Sequence, residues 1–315
     1  MLSFLPLSFL IALLAGEGSY AAPLARITGR SVGTDVFSTF QLMEQYAAAS
    51  YCSPNYDETP NTEVTCPAGN CPLVQAASTD TLVEFENSLK TDVTGFVAVD
   101  HTNSITVVSF RGSASIKNWI ANLDMTQIPT DICTGCKVHQ GFWDSWTEAR
   151  DGVLNAIKSA AASNPSYKIV VVGHSLGGAI SALAAAELRK SGCDVALYTF
   201  GSPRVGNGAF SDFVSNQPGG NYRITHYNDI VPRVPTLIQG YVHITPEFYI
   251  SKPNFKTVAA SDIKEYKSNT ILGGNNAWVV TDILAHTWYF NSIAQCYINQ
   301  LLPKRDLDVE VVERF

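Results

Sequence analysis

Residues 168–180 run from Lys168 through Ile169, Val170, Val171 and Val172 into Gly173-His174-Ser175-Leu176-Gly177, and then into an Ala-rich segment. A β-branched run meeting Gly-x-Ser-x-Gly and then a helical pattern defines a nucleophile elbow, a turn so tight that the residues flanking the serine must be small. Gly173 and Gly177 supply that clearance, and a helix opening at Leu176 aims its first N–H groups at Ser175, where negative charge would develop. A serine hydroxyl is a weak nucleophile at neutral pH, so it needs a general base and a group that orients the base. Of the 6 histidines, His174, His226, His243 and His286 adjoin or follow Ser175. The sharp turn sends the His174 side chain elsewhere, and His226 falls in the strand-like run Tyr222 to Tyr227, which suits a structural imidazole. His286 lies late in the chain between a loop and an apolar segment, and it is the expected base. For the acid, Asp229 follows a strand expected to end at Tyr227 and should stand at the sheet's C-terminal edge beside Ser175. Asp282 competes, but its place just before His286 suits a cap for the turn that follows.

The elements that must position these groups surround them in the sequence. Phe37, Leu42, Tyr46 and Ala49 recur at helical spacing and predict an N-terminal helix ending near Tyr51. Strand-like runs cover 95–100, 104–110, 168–173, 194–200 and 221–227, while helical patterns cover 142–162 and 176–190. This alternation predicts an α/β fold with a mainly parallel central sheet and helices on both faces. No repeat, low-complexity tract or long linker divides it, which favours one domain. With 315 residues, 46% hydrophobic and 16% charged, disordered, collagenous and coiled-coil classes are excluded. Lys+Arg 21 against Asp+Glu 28 gives a net charge of -7 without a basic run, which argues against nucleic acid and against electrostatic docking on anionic membranes. Any lipid contact must then come from apolar surface.

Met1 to Gly16 is an almost unbroken apolar run followed by Ser19-Tyr20-Ala21, so residues 1–21 are expected to be a secretory signal peptide and 22–30 a pro-segment. The run is too short for a transmembrane span. An extracellular destination suits the 7 cysteines, which predict disulfides with one thiol left over. Cys66 with Cys71, and Cys133 with Cys136, are spaced as small surface staples. The Cys133-Thr134-Gly135-Cys136 stretch shows no preceding strand and no directly following helix, as a redox motif requires, and no further thiols or imidazoles complete a zinc site. No metal or cofactor is expected.

Four motifs carry a resemblance: Phe110-Arg111-Gly112-Ser113, Gly173 to Gly178, Asn228-Asp229-Ile230-Val231-Pro232-Arg233, and Ala285-His286-Thr287-Trp288-Tyr289-Phe290. Together they resemble the class 3 family of filamentous-fungal triacylglycerol lipases, over about residues 31–296. The resemblance implies an α/β-hydrolase fold over that span, with a C-terminal tail over 297–315. It also implies Ser175 as nucleophile, Asp229 as acid and His286 as base, with the N–H groups of Leu176 and Ser113 forming the oxyanion hole. By the same resemblance Cys52 pairs with Cys296, Cys66 with Cys71 and Cys133 with Cys136, leaving Cys193 as a buried core thiol. Ser113 is alternatively a cap for the segment behind it.

That segment, Ser115 to Asp124, places Ile116, Trp119, Ile120 and Leu123 on one helical face. In the family the matching helix is a lid that turns its apolar face towards lipid. In isolation the pattern equally describes a helix packed on a core. The expected function is a secreted triacylglycerol lipase acting at a lipid–water interface. A feruloyl esterase shares the fold but carries a polar, permanently open flap, which Trp119 and its neighbours argue against. A non-catalytic secreted binding protein would not need the complete triad.

Overall fold

Val170 and Val172 pack against one hydrophobic core and Val171 against a second. Successive strand residues face opposite sides, so a strand covered on both faces reads as a continuous apolar run instead of an alternating one. The same holds two strands over, where Phe96 and Ala98 join the first core and Val97 the second.

The computed structural model describes residues 30–56, 59–86, 90–269 and 273–301, without the side chains of residues 300 and 301. The expected signal peptide, most of the expected pro-segment and the end of the tail lie outside the described residues. In chain order the elements are β1 (Arg30–Ser31), α1 (Thr34–Ala49), α2 (Pro72–Gln75), β2 (Thr79–Phe85), β3 (Gly95–Asp100), β4 (Ile105–Phe110), α3 (Ile116–Ala121), β5 (Gln127–Pro129), β6 (Lys137–His139) and α4 (Gln140–Ser163). They continue with β7 (Lys168–His174), α5 (Leu176–Lys190), β8 (Val195–Phe200), α6 (Gly208–Asn216), β9 (Asn221–His226), β10 (Glu247–Ile250), β11 (Ile263–Tyr266) and α7 (Gln295–Leu301).

The main sheet is 9-stranded in the order β1-β11-β10-β9-β8-β7-β4-β3-β2. Its centre, from β4 through β7, β8 and β9 to β10, is parallel, and the strands at both margins pair antiparallel. Helix α1 covers one face and α4, α5 and α6 cover the other, the mainly parallel α/β architecture expected. Among the described residues no helix is long and apolar enough to cross a membrane.

Two expectations about the cysteines need revision. A short strand, β5, does precede Cys133, and it pairs with β6 as a separate hairpin. Cys133 and Cys136 therefore staple a hairpin loop, not a strand-to-helix redox turn. Cys193 is the free thiol, but it is half-buried, because it follows Gly192 on the exposed turn that leaves α5. The helix that carries Cys296 runs on to Leu301, into the expected tail, and Arg30 of the expected pro-segment pairs with Glu265 at the sheet edge. Cys52–Cys296 closes a separation of 244 residues and fastens the end of α1 to α7. Cross-linking so long a loop removes about 5.5 kcal/mol of unfolded-chain entropy in the chain-entropy model. The sulfurs of Cys52, Cys66 and Cys71 lie within 4.8 Å of one another, but each is committed to a disulfide.

Helix α1 also buries a carboxyl group. Glu44 is fully inaccessible, and burial pushes its pKa up to about 8. The Asn291 N–H groups oppose that shift, although neither meets hydrogen-bond geometry. The folded value lies above the usual 4.5, so this group's contribution to stability is intact below about 4.5 and is lost as pH rises through about 8. Glu44→Gln removes the titration. The Tm advantage of that variant over the parent should widen as pH is raised across this window in thermal melts, and parallel Tm curves would contradict the assignment.

Candidate active site

Strand β7 ends at His174 and α5 starts at Leu176, leaving Ser175 alone to turn the chain at φ 58° and ψ −129°. A non-glycine residue in this region costs about 1–3 kcal/mol and persists only where its surroundings over-determine it. A side-chain carbon at Gly173 would collide with the Gly177 carbonyl, and one at Gly177 would collide with the Phe110 carbonyl. The Ser175 N–H is held by the Phe200 carbonyl of β8 at 2.9 Å. Its hydroxyl is buried and has no hydrogen-bond partner among the described residues.

His286 sits in a 3-10 turn, Leu284–Thr287, and is fully buried. Its Nδ1 meets Asp229 Oδ2 at 2.8 Å. A carboxylate can only accept, so Nδ1 carries the hydrogen, and Nε2 of the neutral ring is left with a free lone pair. Nε2 also lacks a partner among the described residues. Ser175 Oγ and His286 Nε2 are thus both buried and unpaired among the described residues, and they lie in one region: the Phe200 carbonyl holds the Ser175 N–H, and a side-chain carbon on the next residue, Gly201, would collide with the His286 ring.

Asp229, just beyond β9, accepts three hydrogen bonds. Its Oδ1 takes the Val231 N–H at 2.8 Å, while Oδ2 takes His286 and also the Tyr289 hydroxyl at 2.9 Å. Asn275 donates to the Asp229 backbone carbonyl at 2.8 Å. Asp282 does not reach the base. Its Oδ1 accepts the Leu284 N–H at 2.9 Å and caps the turn that carries His286, and its Oδ2 accepts from Asn254 at 3.0 Å.

The other histidines are structural neighbours. The His174 ring lies 4.4 Å from that of His286, between centroids. His174 Nε2 donates to the His286 carbonyl at 2.9 Å, which leaves Nδ1 to accept from the Tyr51 hydroxyl at 2.7 Å. The Tyr51 oxygen in turn accepts the Gly112 N–H at 3.1 Å. Burial first, and then the adjacent His286, hold the His174 pKa well below its ordinary value. A neutral ring thus lies beside the position where an imidazolium would form, and it adds no repulsion. His226 Nδ1 donates to the Ala285 carbonyl at 2.8 Å, and His243 Nε2 to the Pro232 carbonyl at 2.6 Å.

Leu176 opens α5, so its N–H has no acceptor within the helix. Gly112 packs directly against Cβ of Ser175, which brings the neighbouring Ser113 to the same place. The residue capping α3 is Ser115, not Ser113, and its side chain makes no cap bond. Helix α3 spans only 6 residues. Ile116, Trp119, Ile120 and Leu123 are half-buried while Lys117 and Asn118 are exposed. The Trp119 ring stacks on Phe142 of α4, with centroids 6.2 Å apart. At the exit of the segment His139 Nε2 donates to the Asp124 carbonyl, and the Tyr241 hydroxyl to the Met125 carbonyl at 3.1 Å.

Tyr51 and Asn275 belong to the site but stand in no motif, while Tyr289 stands in the Ala285–Phe290 motif without a role assigned to it there. Tyr289 follows His286 closely enough that its proximity was a usable signal. Tyr51 and Asn275 reach the site only through tertiary packing.

The family profile described as "Lipase (class 3)" matches residues 107–239, and "Lipase 3 N-terminal region" matches 13–82. The chain is 43% identical over 289 residues to secreted mono- and diacylglycerol lipase A of Penicillium cyclopium, covering 90% of this chain and 94% of that protein. It is 40% identical over 285 residues to secreted mono- and diacylglycerol lipase 1 of Fusarium solani, covering 90% and 85%. The crystal structure of a mono- and diacylglycerol lipase from Aspergillus oryzae superposes with a TM-score of 0.79 at 41% identity, covering 82% of this chain and 97% of that one.

The Tyr289 hydroxyl bears on the Asp229–His286 pair directly. Burial first, and then Asp229, keep its pKa well above the usual range, so it remains a donor throughout the working pH range. Hydrogen bonds to charged groups contribute about 1.5–3 kcal/mol, so Tyr289→Phe should lower kcat on a soluble ester by about tenfold or more, with KM nearly unchanged. An unchanged kcat in steady-state assays would contradict this role.

Proposed function

Because this chain belongs to the class 3 lipase family, we propose that it is a secreted acylglycerol lipase that cleaves carboxylic esters with Ser175, His286 and Asp229. The observation that carries the reading is the pairing of an unpartnered Ser175 Oγ and an unpartnered His286 Nε2 with a carboxylate 2.8 Å from the far ring nitrogen. His286 Nε2 takes the hydroxyl proton as Ser175 attacks the ester carbonyl. The Leu176 and Ser113 N–H groups stabilise the oxyanion, helped by the N-terminal dipole of α5. Collapse of the tetrahedral intermediate breaks the ester C–O bond, and the His286 imidazolium gives its proton to the leaving alkoxide oxygen, which departs as the alcohol. Water repeats the sequence to release the fatty acid and restore Ser175.

The lid reading has separate support. The serine is fully buried, so substrate enters only when something moves. Helix α3 is short and lacks a side-chain cap, two features that make an isolated helix marginal. Its apolar residues are turned inward, where they would exchange core contacts for lipid on opening. The domain is taken to begin near residue 31, after a signal peptide and pro-segment. The relatives at 43% and 40% identity are named for mono- and diacylglycerols, so partial glycerides belong in the substrate range beside triacylglycerols.

Hydrolysis of mono-, di- and triacylglycerols, measured above and below their solubility limits, tests this function. The rate should rise sharply when substrate forms an interface, and Trp119→Ser should blunt that rise. Faster turnover of a soluble feruloyl ester, with no rise at an interface, would instead favour the esterase reading.

A further inference from the structure

Three aliphatic side chains outside the lid are exposed to an unusual degree: Ile238 at 98%, Val279 at 97% and Val280 at 72%. Single exposed aliphatic residues are ordinary. These three stand on turns held firmly in place. Ile238 occupies the 3-10 turn Leu237–Gln239, closed by a capping box in which Gln239 Oε1 accepts from the Thr236 N–H at 2.7 Å and its hydroxyl at 2.8 Å. Val279 and Val280 follow Trp278, whose carbonyl accepts from Arg233 at 2.7 Å and whose indole N–H donates to the Tyr249 hydroxyl at 2.8 Å. The Val280 carbonyl accepts from Asn228, the residue before the acid, at 3.3 Å.

Hydrogen bonds also link the two turns to each other and to the lid's exit. Gln127 of β5 donates to the Gln239 carbonyl at 3.3 Å. Arg204 donates to the carbonyls of both Arg233 and Pro235, at 2.6 and 2.8 Å, and Arg233 reaches on to Trp278. The turns therefore form a fixed arc from the lid's exit to the loop of Asp229.

We propose that Ile238, Val279 and Val280 are a permanent docking rim for an uncharged lipid surface, present whether the lid is closed or open. The proposal rests on the lipase reading for its choice of lipid. Its chemistry is independent: residues 235–241 and 273–281 contain no charged side chain, in a chain of net charge -7. Such a surface offers nothing to an anionic headgroup. Three side chains also fall far short of the roughly 800 Å² per partner that a stable protein interface buries. Insertion among acyl chains needs only apolar side chains held outward.

The test uses the full chain carrying Ser175→Ala, so that lipid is bound and not consumed. Its partitioning onto phosphatidylcholine vesicles containing diacylglycerol is compared with that of the same protein carrying I238S, V279S and V280S. Partitioning should fall by about tenfold or more, the loss expected when three aliphatic side chains are removed from lipid contact. It should be insensitive to salt. In the active background the triple variant should hydrolyse a soluble short-chain ester at the parental rate. Unchanged partitioning, dependence on anionic lipid, or loss of soluble-ester activity would overturn the docking rim. A parent that partitions through these residues but cleaves no acylglycerol would leave the rim standing and overturn the lipase reading instead.

Discussion

Ser175 turns the chain between β7 and α5 at a positive φ of 58°, a backbone state that a serine does not adopt without compulsion. The compulsion comes from both sides. The Phe200 carbonyl of β8 holds its N–H, and the absence of side chains at Gly173 and Gly177 lets helix, strand and the Phe110 carbonyl close around it. Relaxing the turn would move the hydroxyl off the C-terminal edge of the parallel strands. It would also misalign the first N–H of α5. The elbow is thus a constraint on two elements at once, and the two-faced apolar packing of the sheet supplies the rigidity that maintains it.

Charge at the site is arranged by the same economy of position. Asp229 is buried, yet its carboxylate accepts three hydrogen bonds, and that is how a desolvated charge is tolerated. Behind His286, hydrogen bonds run from the Gly112 N–H through Tyr51 and His174 to the His286 carbonyl, and Tyr51 and His174 each donate once and accept once along them, so the neighbouring imidazole stays neutral. Ser175 Oγ and His286 Nε2, where the proposed chemistry would occur, have no partner among the described residues. An unmet buried hydroxyl costs stability. In the proposed mechanism that cost leaves the Ser175 hydroxyl free to react with substrate.

The parts of the structure legible in the sequence are those with strong local signals. The runs 95–100 and 168–173 and the helix 176–190 have continuous apolar or Ala-rich patterns, and they appear as β3, β7 and α5 with nearly the same limits. Short margin strands such as β1, β10 and β11 span too few residues to show a period, and non-local pairing decides them. The hairpin of β5 and β6 was invisible for the same reason. At the site, motif order pointed to Ser175, Asp229 and His286, but it could not show that Asp282 is spent on the Leu284 N–H. Tyr51 is a residue of the first helix's end and Asn275 of a late turn, so only the folded chain brings them to the elbow and the acid.

In the proposed mechanism the strained turn and the Asp229–His286 pair make Ser175, alone among the serines, a nucleophile. A lipophilic phosphonate ester, followed by digestion and mass spectrometry, tests this directly. One covalent adduct on the peptide containing Ser175, formed rapidly in the parent and at least about a hundredfold more slowly in His286→Ala, is the predicted result. An adduct on another serine, or labelling of Ser175 at the same rate without His286, would contradict it.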